Sequence, residues 1–168
     1  SKEKKNKKSP IKINLVVTDN KNALGLKFVK EKKIKLLTVN YKNILSAEQK
    51  ILKLISKENI KLICLAGFMK ILTKKFIKSF DGKIINIHPS LLPKYKGLNT
   101  HKRALKNKDK FAGCTVHYVS NKIDSGRIIL RKKVKISKID TENSLKLKVL
   151  IAEHKLYPAA INKIKSSF

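Results

Sequence analysis

Asn86 and His88 are the residues whose types and spacing first suggest chemistry. They lie two positions apart in the run 83–88, whose apolar and β-branched residues predict a buried strand. Because successive side chains of a strand point to opposite faces, the amide and the imidazole share one face, while Ile85 and Ile87 point into the core. Both types can donate hydrogen bonds to a developing negative oxygen, and an imidazole can also carry a proton. On spacing alone, a structural role for His88 stays open.

The carboxyl end of this strand is where the two side chains would meet a ligand. Pro89 ends the ladder pairing just after His88 and biases the histidine toward extended geometry. In open α/β sheets, ligands bind outside the carboxyl ends of the strands. The same rule points to the segment 67–69, which follows the preceding apolar run, and to the loop after Ser120.

Alternating strand and helix patterns would position these residues. Apolar runs predict strands at 11–18, 35–39, 62–67, 83–88, 113–120 and 127–136. Apolar residues at helical spacing predict helices over 23–32, after Ser46, over 73–80, over 100–107 and after Thr141. Strand and helix alternate up to residue 88, which predicts an α/β fold with a mostly parallel sheet covered by helices on both faces. The last two strands lie close together in the chain and predict a more antiparallel C-terminal region.

Local signals add detail to these elements. Ser46, with Gln49 three residues later, has the pattern of a capping box at the start of a helix. Thr141 is suited to cap the last helix, and Pro158 is expected to kink or end it. The run 62–67 is continuously apolar and ends at a glycine, which predicts a strand buried on both faces.

Composition and charge bound the class of protein. The chain has 168 residues, 42% of them apolar, so we expect one domain over 1–168, with 1–10 as a basic tail or the remnant of a helix. The 41 Lys and Arg against 11 Asp and Glu give a net charge of +30, which could attract nucleic acid. Most of these basic residues are lysine and aromatic residues make up only 6%, so we favour a solvated surface with no specific nucleic-acid partner. A basic nucleic-acid-binding domain is the alternative, and affinity that falls steeply with salt would distinguish it.

The sequence predicts neither a membrane span nor a secretory signal. No apolar run approaches the roughly 20 residues that cross a bilayer, and the chain opens with the polar run 1–9. Cys64 and Cys114 lie within apolar runs at a spacing that matches no metal site, so we expect buried thiols in a reducing compartment. These features predict a cytoplasmic protein with no membrane partner and no metal.

Three motifs resemble those of the folate-dependent formyltransferases. They are AGFMKIL at 66–72, NIHPSLLPKYKGLNTH at 86–101 and VSNKIDSG at 119–126. The resemblance runs in register from about Ile11 to Pro158. Within that family, the segment 94–105 is most similar to the members that formylate glycinamide ribonucleotide in purine synthesis.

The resemblance implies a reaction and a role for each polar residue. The formyl group of 10-formyltetrahydrofolate would pass to the amine of glycinamide ribonucleotide, without a metal. Protonated His88 and the Asn86 amide would donate hydrogen bonds to the oxygen of the tetrahedral intermediate. Asp124 would favour the imidazolium and assist proton transfer, directly or through water.

Two binding regions are implied in the same way. Folate contacts would come, largely through backbone groups, from Met69, Lys70, Ile71, Leu72, Asn86, Ser120, Asn121, Lys122, Ile123 and Asp124. Nucleotide contacts would come from the last helix, at Leu150, Ile151, Ala152 and Glu153. His117 would lie near the folate side, where a purely structural role is open, and we treat His101 and His154 as non-catalytic.

The chain departs from the family pattern at its start. Members of the family begin with a strand and a glycine-rich loop that holds the substrate phosphate, and neither pattern is present here. We therefore expect a Rossmann-like formyltransferase fold that lacks its first strand. The alternatives are a formyltetrahydrofolate hydrolase and an inactive truncated member of the family. A monomer and a homodimer are both compatible with the sequence.

Overall fold

The structure, a computed structural model, describes residues 11–167, so the predicted tail at 1–10 lies outside the described residues. The chain divides after Ile60 into two compact units. Each unit carries its own sheet, and each sheet contains one parallel pair of strands. The prediction of a single domain over the whole chain stays a prediction.

Within residues 11–60, the first unit contains two strands and two helices. In chain order these are β1 (Leu15–Thr18), α1 (Leu26–Glu31), β2 (Lys35–Thr38) and α2 (Ile44–Lys57), and β1 pairs with β2 in parallel. The predicted capping box at Ser46 is wrong. Asn43 is the N-cap of α2, and its side chain accepts a hydrogen bond from the Ser46 N–H. Asparagine caps a helix as well as serine does, so the helix begins at the earlier candidate and Ser46 falls in its first turn.

The second unit carries the sheet that bears the candidate site. Its elements are β3 (Leu62–Leu65), α3 (Lys74–Ser79), β4 (Lys83–His88), α4 (Thr100–Lys106), β5 (Phe111–Tyr118), β6 (Ile128–Lys135) and α5 (Glu142–Ile164). The strand order is β3-β4-β5-β6. β3 pairs in parallel with β4, and β5 runs antiparallel to both β4 and β6. The predicted α/β class, with antiparallel pairing toward the C-terminal end, is confirmed.

The core of the second unit lies between this sheet and α5. Ile85 of β4, Val116 of β5 and Leu145 of α5 are fully buried in one apolar cluster. Thr141 caps α5 as predicted, because its hydroxyl accepts a hydrogen bond from the Ser144 N–H. This packing turns one face of β4 toward α5 and leaves the other face for polar side chains.

The expectation that the run 62–67 forms a strand buried on both faces is wrong. The strand β3 covers only part of that run, and the side chain of Cys64 within it is exposed, whereas Cys114 in β5 is buried. Among the described residues β3 pairs on one side only, as an outer strand of its sheet. An apolar sequence allows burial on both faces, but the neighbouring elements decide whether burial occurs.

We expected Pro158 to kink or end the last helix, and the second of these outcomes is wrong. The helix α5 continues through the proline to Ile164. Leu156 before the proline and Ala160 after it are both buried in the core, and this packing outweighs the hydrogen bond that proline removes. At 23 residues α5 is still not apolar enough to span a bilayer, and the same holds for every other helix within residues 11–167.

Candidate active site

The strand β4 carries Asn86 and His88 on one face, as the alternation predicts. Ile85 and Ile87 lie in the core cluster with α5, and the two polar side chains take the opposite face. His88 keeps only 6% of its surface exposed. On the neighbouring strand β5, His117 lies directly opposite Asn86. Three polar side chains therefore share one largely buried patch of the sheet.

Asp124 reaches this patch from the loop that joins β5 to β6. The loop closes tightly, since the Tyr118 N–H donates to the Arg127 carbonyl at 2.9 Å and a side chain at Gly126 would collide with the Tyr118 carbonyl. Asp124 itself has a left-handed backbone with φ of 45°. Its Oδ2 lies 3.3 Å from Nδ1 of His88. The structure thus brings together the three residues to which we assigned catalysis, and we call them, with His117, the polar centre.

The carboxylate of Asp124 is surrounded by hydrogen-bond donors. Its Oδ2 accepts a hydrogen bond from the Gly97 N–H at 2.9 Å, and its Oδ1 lies 3.6 Å from Nε2 of His117. Burial by itself would raise the pKa of Asp124, but the hydrogen bonds from His117 and Gly97 and the charge of a protonated His88 lower it on balance. Asp124 therefore stays ionised at neutral pH and can hold a cation beside it.

Both ring nitrogens of His88 face hydrogen-bond acceptors. Nε2 lies 2.8 Å from the main-chain oxygen of Tyr95, and Nδ1 faces Asp124. A carbonyl oxygen only accepts, so Nε2 must carry a proton to satisfy this contact. A second proton on Nδ1 satisfies the carboxylate as well, in a charge-assisted hydrogen bond. The geometry is suited to an imidazolium that shares a proton with Asp124.

His117 is the residue of the polar centre that sequence reasoning left without a role. Its Nδ1 lies 2.8 Å from the Tyr118 carbonyl, which requires a proton on Nδ1. Its Nε2 then faces the amide nitrogen of Asn86 at 3.4 Å and the carboxylate of Asp124 at 3.6 Å. The alternation of side chains along β5 indicated its orientation, because His117 points away from the core face that Val116 occupies. Only the antiparallel register with β4 places it beside Asn86.

Exposed apolar side chains occur on the segment that follows β3 and on the loop that carries Asp124. Leu65 of β3 pairs with Asn86, so the chain leaves β3 beside the carboxyl end of β4. Met69 and Ile71 follow, with 73% and 64% of their surfaces exposed, and Ile123 next to Asp124 is 55% exposed. We call Met69, Ile71 and Ile123 the apolar rim.

The remaining residues predicted to contact folate differ in burial. Lys70 in the segment after β3 is exposed, whereas Leu72 is buried with only 8% of its surface accessible. Ser120, Asn121 and Lys122 form an exposed turn before Asp124, in which the Ser120 hydroxyl donates to the Lys122 carbonyl at 3.1 Å.

Comparison with known proteins decides the family. Residues 1–161 match the formyl transferase family. The chain belongs to that family. It is 38% identical over 161 residues to the trifunctional purine biosynthetic protein adenosine-3 of Homo sapiens. This alignment covers 94% of this chain and 16% of the human protein. It is 41% identical over 155 residues to phosphoribosylglycinamide formyltransferase of Haemophilus influenzae, which covers 90% of this chain and 73% of that protein.

A solved structure gives the same likeness. The crystal structure of phosphoribosylglycinamide formyltransferase from Anaplasma phagocytophilum superposes with a TM-score of 0.86 at 40% sequence identity, over 93% of this chain and 74% of that one. The chain thus spans about a sixth of the length of the human trifunctional relative and about three quarters of the bacterial relatives.

In this formyl transferase chain, the residues predicted to contact the nucleotide do not share one surface. Leu150 and Ile151 are 41% and 58% exposed, whereas Ala152 lies in the core at 8%. Successive residues of a helix point about 100° apart, so four consecutive side chains cannot line one site. Glu153 is half-buried, and burial raises its pKa above the usual range, while the charge of His154 opposes that shift.

The two histidines that we treated as non-catalytic lie apart from the polar centre's hydrogen bonds. Burial lowers the pKa of His101 in α4, and its Nε2 is buried with no hydrogen-bond partner among the described residues. His154 is exposed on α5. Within residues 11–167, no group of three or more His, Cys, Asp or Glu is arranged to hold a metal ion.

Proposed function

We propose that this chain transfers a formyl group from 10-formyltetrahydrofolate to the amine of glycinamide ribonucleotide. The observation that carries the proposal is the direct pairing of His88 with Asp124, 3.3 Å apart, on the strand face that also presents Asn86. The bacterial relatives named phosphoribosylglycinamide formyltransferase support the choice of acceptor. The human relative, named as a trifunctional purine biosynthetic protein, supports a role in purine biosynthesis.

The amide of Asn86 is suited to stabilise the oxyanion of the tetrahedral intermediate. An amide nitrogen carries two hydrogens. Nε2 of His117, 3.4 Å away, donates to Asp124 and therefore does not accept from this amide, so an amide hydrogen remains for the oxygen of the formyl group as the amine attacks. One preorganised donor of this kind typically lowers the barrier by about 3–4 kcal/mol.

His88 and Asp124 supply the charge and the proton route. Asp124 stays ionised because its pKa is lowered, so it holds the protonated imidazole next to the reacting carbon. The amine nitrogen forms a bond to the formyl carbon and loses a proton, which passes through a water to the Asp124 carboxylate. The bond from that carbon to the folate nitrogen then breaks, and the folate nitrogen takes up a proton from the His88–Asp124 pair.

The apolar rim fits a flat, partly apolar folate ring system. Met69, Ile71 and Ile123 expose most of their surfaces on the segment after β3 and on the loop that carries Asp124, and the polar centre would hold the reactive end of the same molecule. The folate supplies the formyl group, and the exposed turn at 120–122 would contact it. For the nucleotide side we propose the half-buried Glu153, with the exposed Leu150 and Ile151 of the same helix. We further propose action in the cytoplasm, as a monomer or a homodimer.

The experiment that tests this function is release of tetrahydrofolate from 10-formyltetrahydrofolate by the purified chain, with and without glycinamide ribonucleotide. Release that requires the nucleotide, with one formylated nucleotide formed per tetrahydrofolate, supports the transferase. Equal release without the nucleotide would replace it with the hydrolase. Absence of release from a chain whose far-UV circular dichroism and thermal melt show a cooperative fold would favour the inactive family member.

A further inference from the structure

The loop between β4 and α4 holds a main-chain carbonyl against the catalytic imidazole. The Tyr95 carbonyl lies 2.8 Å from Nε2 of His88, opposite the nitrogen that faces Asp124. Tyr95 adopts a left-handed backbone with φ of 55°, which costs energy for a residue that is not glycine. Such a conformation persists only where the surrounding structure holds it.

Three side chains hold Tyr95 in place. Its hydroxyl donates to Oδ2 of Asp109 at 2.8 Å and accepts from the Asn107 amide at 2.9 Å. The guanidinium of Arg103 lies over its ring, 4.9 Å from the centroid. Arg103 also donates to the Lys96 carbonyl at 2.8 Å, which fastens the next residue of the loop to α4. We call Arg103, Asn107 and Asp109 the tyrosine clamp.

The same loop controls both partners of the catalytic pair. Tyr95 sets the ring of His88 through its carbonyl, and Gly97, two residues later, donates its N–H to Asp124 at 2.9 Å. A shift of this loop would therefore move the imidazole and the carboxylate together. The clamp residues lie on and just after α4, and within residues 11–167 none of them forms a hydrogen bond or an ion pair with the polar centre.

We propose that Tyr95 is a positioning residue, held by the tyrosine clamp, which fixes the proton of His88 on Nε2 and turns Nδ1 toward Asp124. The inference rests on the proposed formyl transfer, because it assigns how the catalytic histidine of that reaction is oriented. Tyr95 acts through its backbone carbonyl, so its side chain matters only as the anchor of that carbonyl.

Two substitutions at Asp109 separate the hydrogen bond from the charge. Asp109→Ala removes the acceptor for the Tyr95 hydroxyl, whereas Asp109→Asn keeps an acceptor oxygen of nearly the same shape. We expect kcat to fall about tenfold in Asp109→Ala, with the KM of both substrates little changed, since geometry at the reacting atoms is lost while the binding surfaces remain. Asp109→Asn should restore most of the rate. The control is Asp81→Ala, which removes the carboxylate of the exposed Lys61–Asp81 pair elsewhere in the same unit.

A readout that does not depend on turnover is the nitrogen-15 signal of the His88 ring, assigned by its loss in His88→Asn. In the parent chain Nε2 should remain protonated and its hydrogen should exchange slowly. In Asp109→Ala the hydrogen should exchange rapidly, and in Asp109→Asn slowly again. If Asp109→Ala does not fold, Tyr95→Phe tests the same anchor, because it removes only the hydroxyl and keeps the ring under Arg103.

The outcomes separate this inference from the proposed function. A His88 signal that is identical in the parent, Asp109→Ala and Tyr95→Phe overturns the positioning role, whatever the rate. Equal losses in Asp109→Ala and Asp109→Asn also overturn it, because the charge of Asp109, paired with Lys94, would then be what matters. A parent chain without formyl transfer defeats the proposed function, and the ring signal still decides whether the clamp positions His88.

Discussion

The polar centre and the apolar rim both belong to the second unit, but they differ in whether their side chains already have partners. In the polar centre, each side chain already has partners: His88 and His117 both contact Asp124, and Asn86 contacts His117. In the apolar rim, Met69 and Ile71 expose most of their surface and gain burial only when something covers them. The centre is therefore preorganised without a ligand, whereas the rim would be completed by one. Substitutions in the centre should change kcat, and substitutions in the rim should change KM.

The largest expected effect is at Asp124. Asp124→Asn keeps the shape but removes the charge that stabilises protonated His88, so we expect kcat to fall about 100-fold or more with little change in KM. Steady-state kinetics with both substrates measures the split. Asp81→Asn, at a fully exposed carboxylate, is the matched control and should leave kcat unchanged. Unchanged turnover in both Asp124→Asn and His88→Ala would rule out the assigned mechanism.

A second, smaller effect is expected at His117 and concerns pH. Hydrogen bonding from His117 is one of the causes that lower the pKa of Asp124. Asp124 works as a carboxylate, so activity is present above its pKa and is lost as the pH falls through it. Without His117 that pKa rises, so the acid limb of the kcat profile should move to higher pH in His117→Asn, and kcat at neutral pH should fall about tenfold. An acid limb at the same pH in both chains would show that His117 does not act on Asp124.

The apolar rim should respond in KM alone. Ile123→Asn removes an apolar side chain that we expect the folate to cover, and half-burial of such a side chain is worth about 1 kcal/mol, or roughly a fivefold rise in the KM for 10-formyltetrahydrofolate. The matched control is Ile139→Asn, since Ile139 is 89% exposed and lies outside the rim. Equal KM values in the two variants would remove Ile123 from the folate site. A fall in kcat with unchanged KM would contradict the assignment of the apolar rim to binding and of the polar centre to catalysis.

The smallest effect on chemistry is expected at a carboxylate outside both regions. Asp140 accepts hydrogen bonds from Lys148, the Ser137 N–H and Ser144, and these lower its pKa to about 2. Its contribution to folding stability is present above the usual aspartate pKa and is lost as the pH falls through the lowered value. Asp140→Asn should therefore melt at a lower temperature than the parent at pH 6, with a difference that shrinks toward pH 2 and no change in kcat. A melting difference that persists at pH 2 would assign the loss to shape instead of charge.

Local signals in the sequence predicted where the helices and strands lie better than they predicted which side chains are buried. The run 83–88 forms β4 with the predicted bounds, and Thr141 caps the last helix through the expected hydroxyl. Asn43 replaced Ser46 as the cap of α2 because two residues of equal capping ability lay close together. Burial was harder to predict, since the exposure of Cys64 depends on which strands lie beside β3.

The sequence by itself determined that an amide and an imidazole would leave one face of a strand, because side chains alternate along a strand and Pro89 ends the pairing there. Its motifs also pointed to the family and to Asp124. Only the tertiary structure decided that Asp124 contacts His88 directly, that His117 links Asn86 to that carboxylate, and that a tyrosine carbonyl holds the second ring nitrogen. The physical reason is range: alternation and capping act over a few residues, whereas these contacts join positions 7 to 36 residues apart through strand register and loop closure.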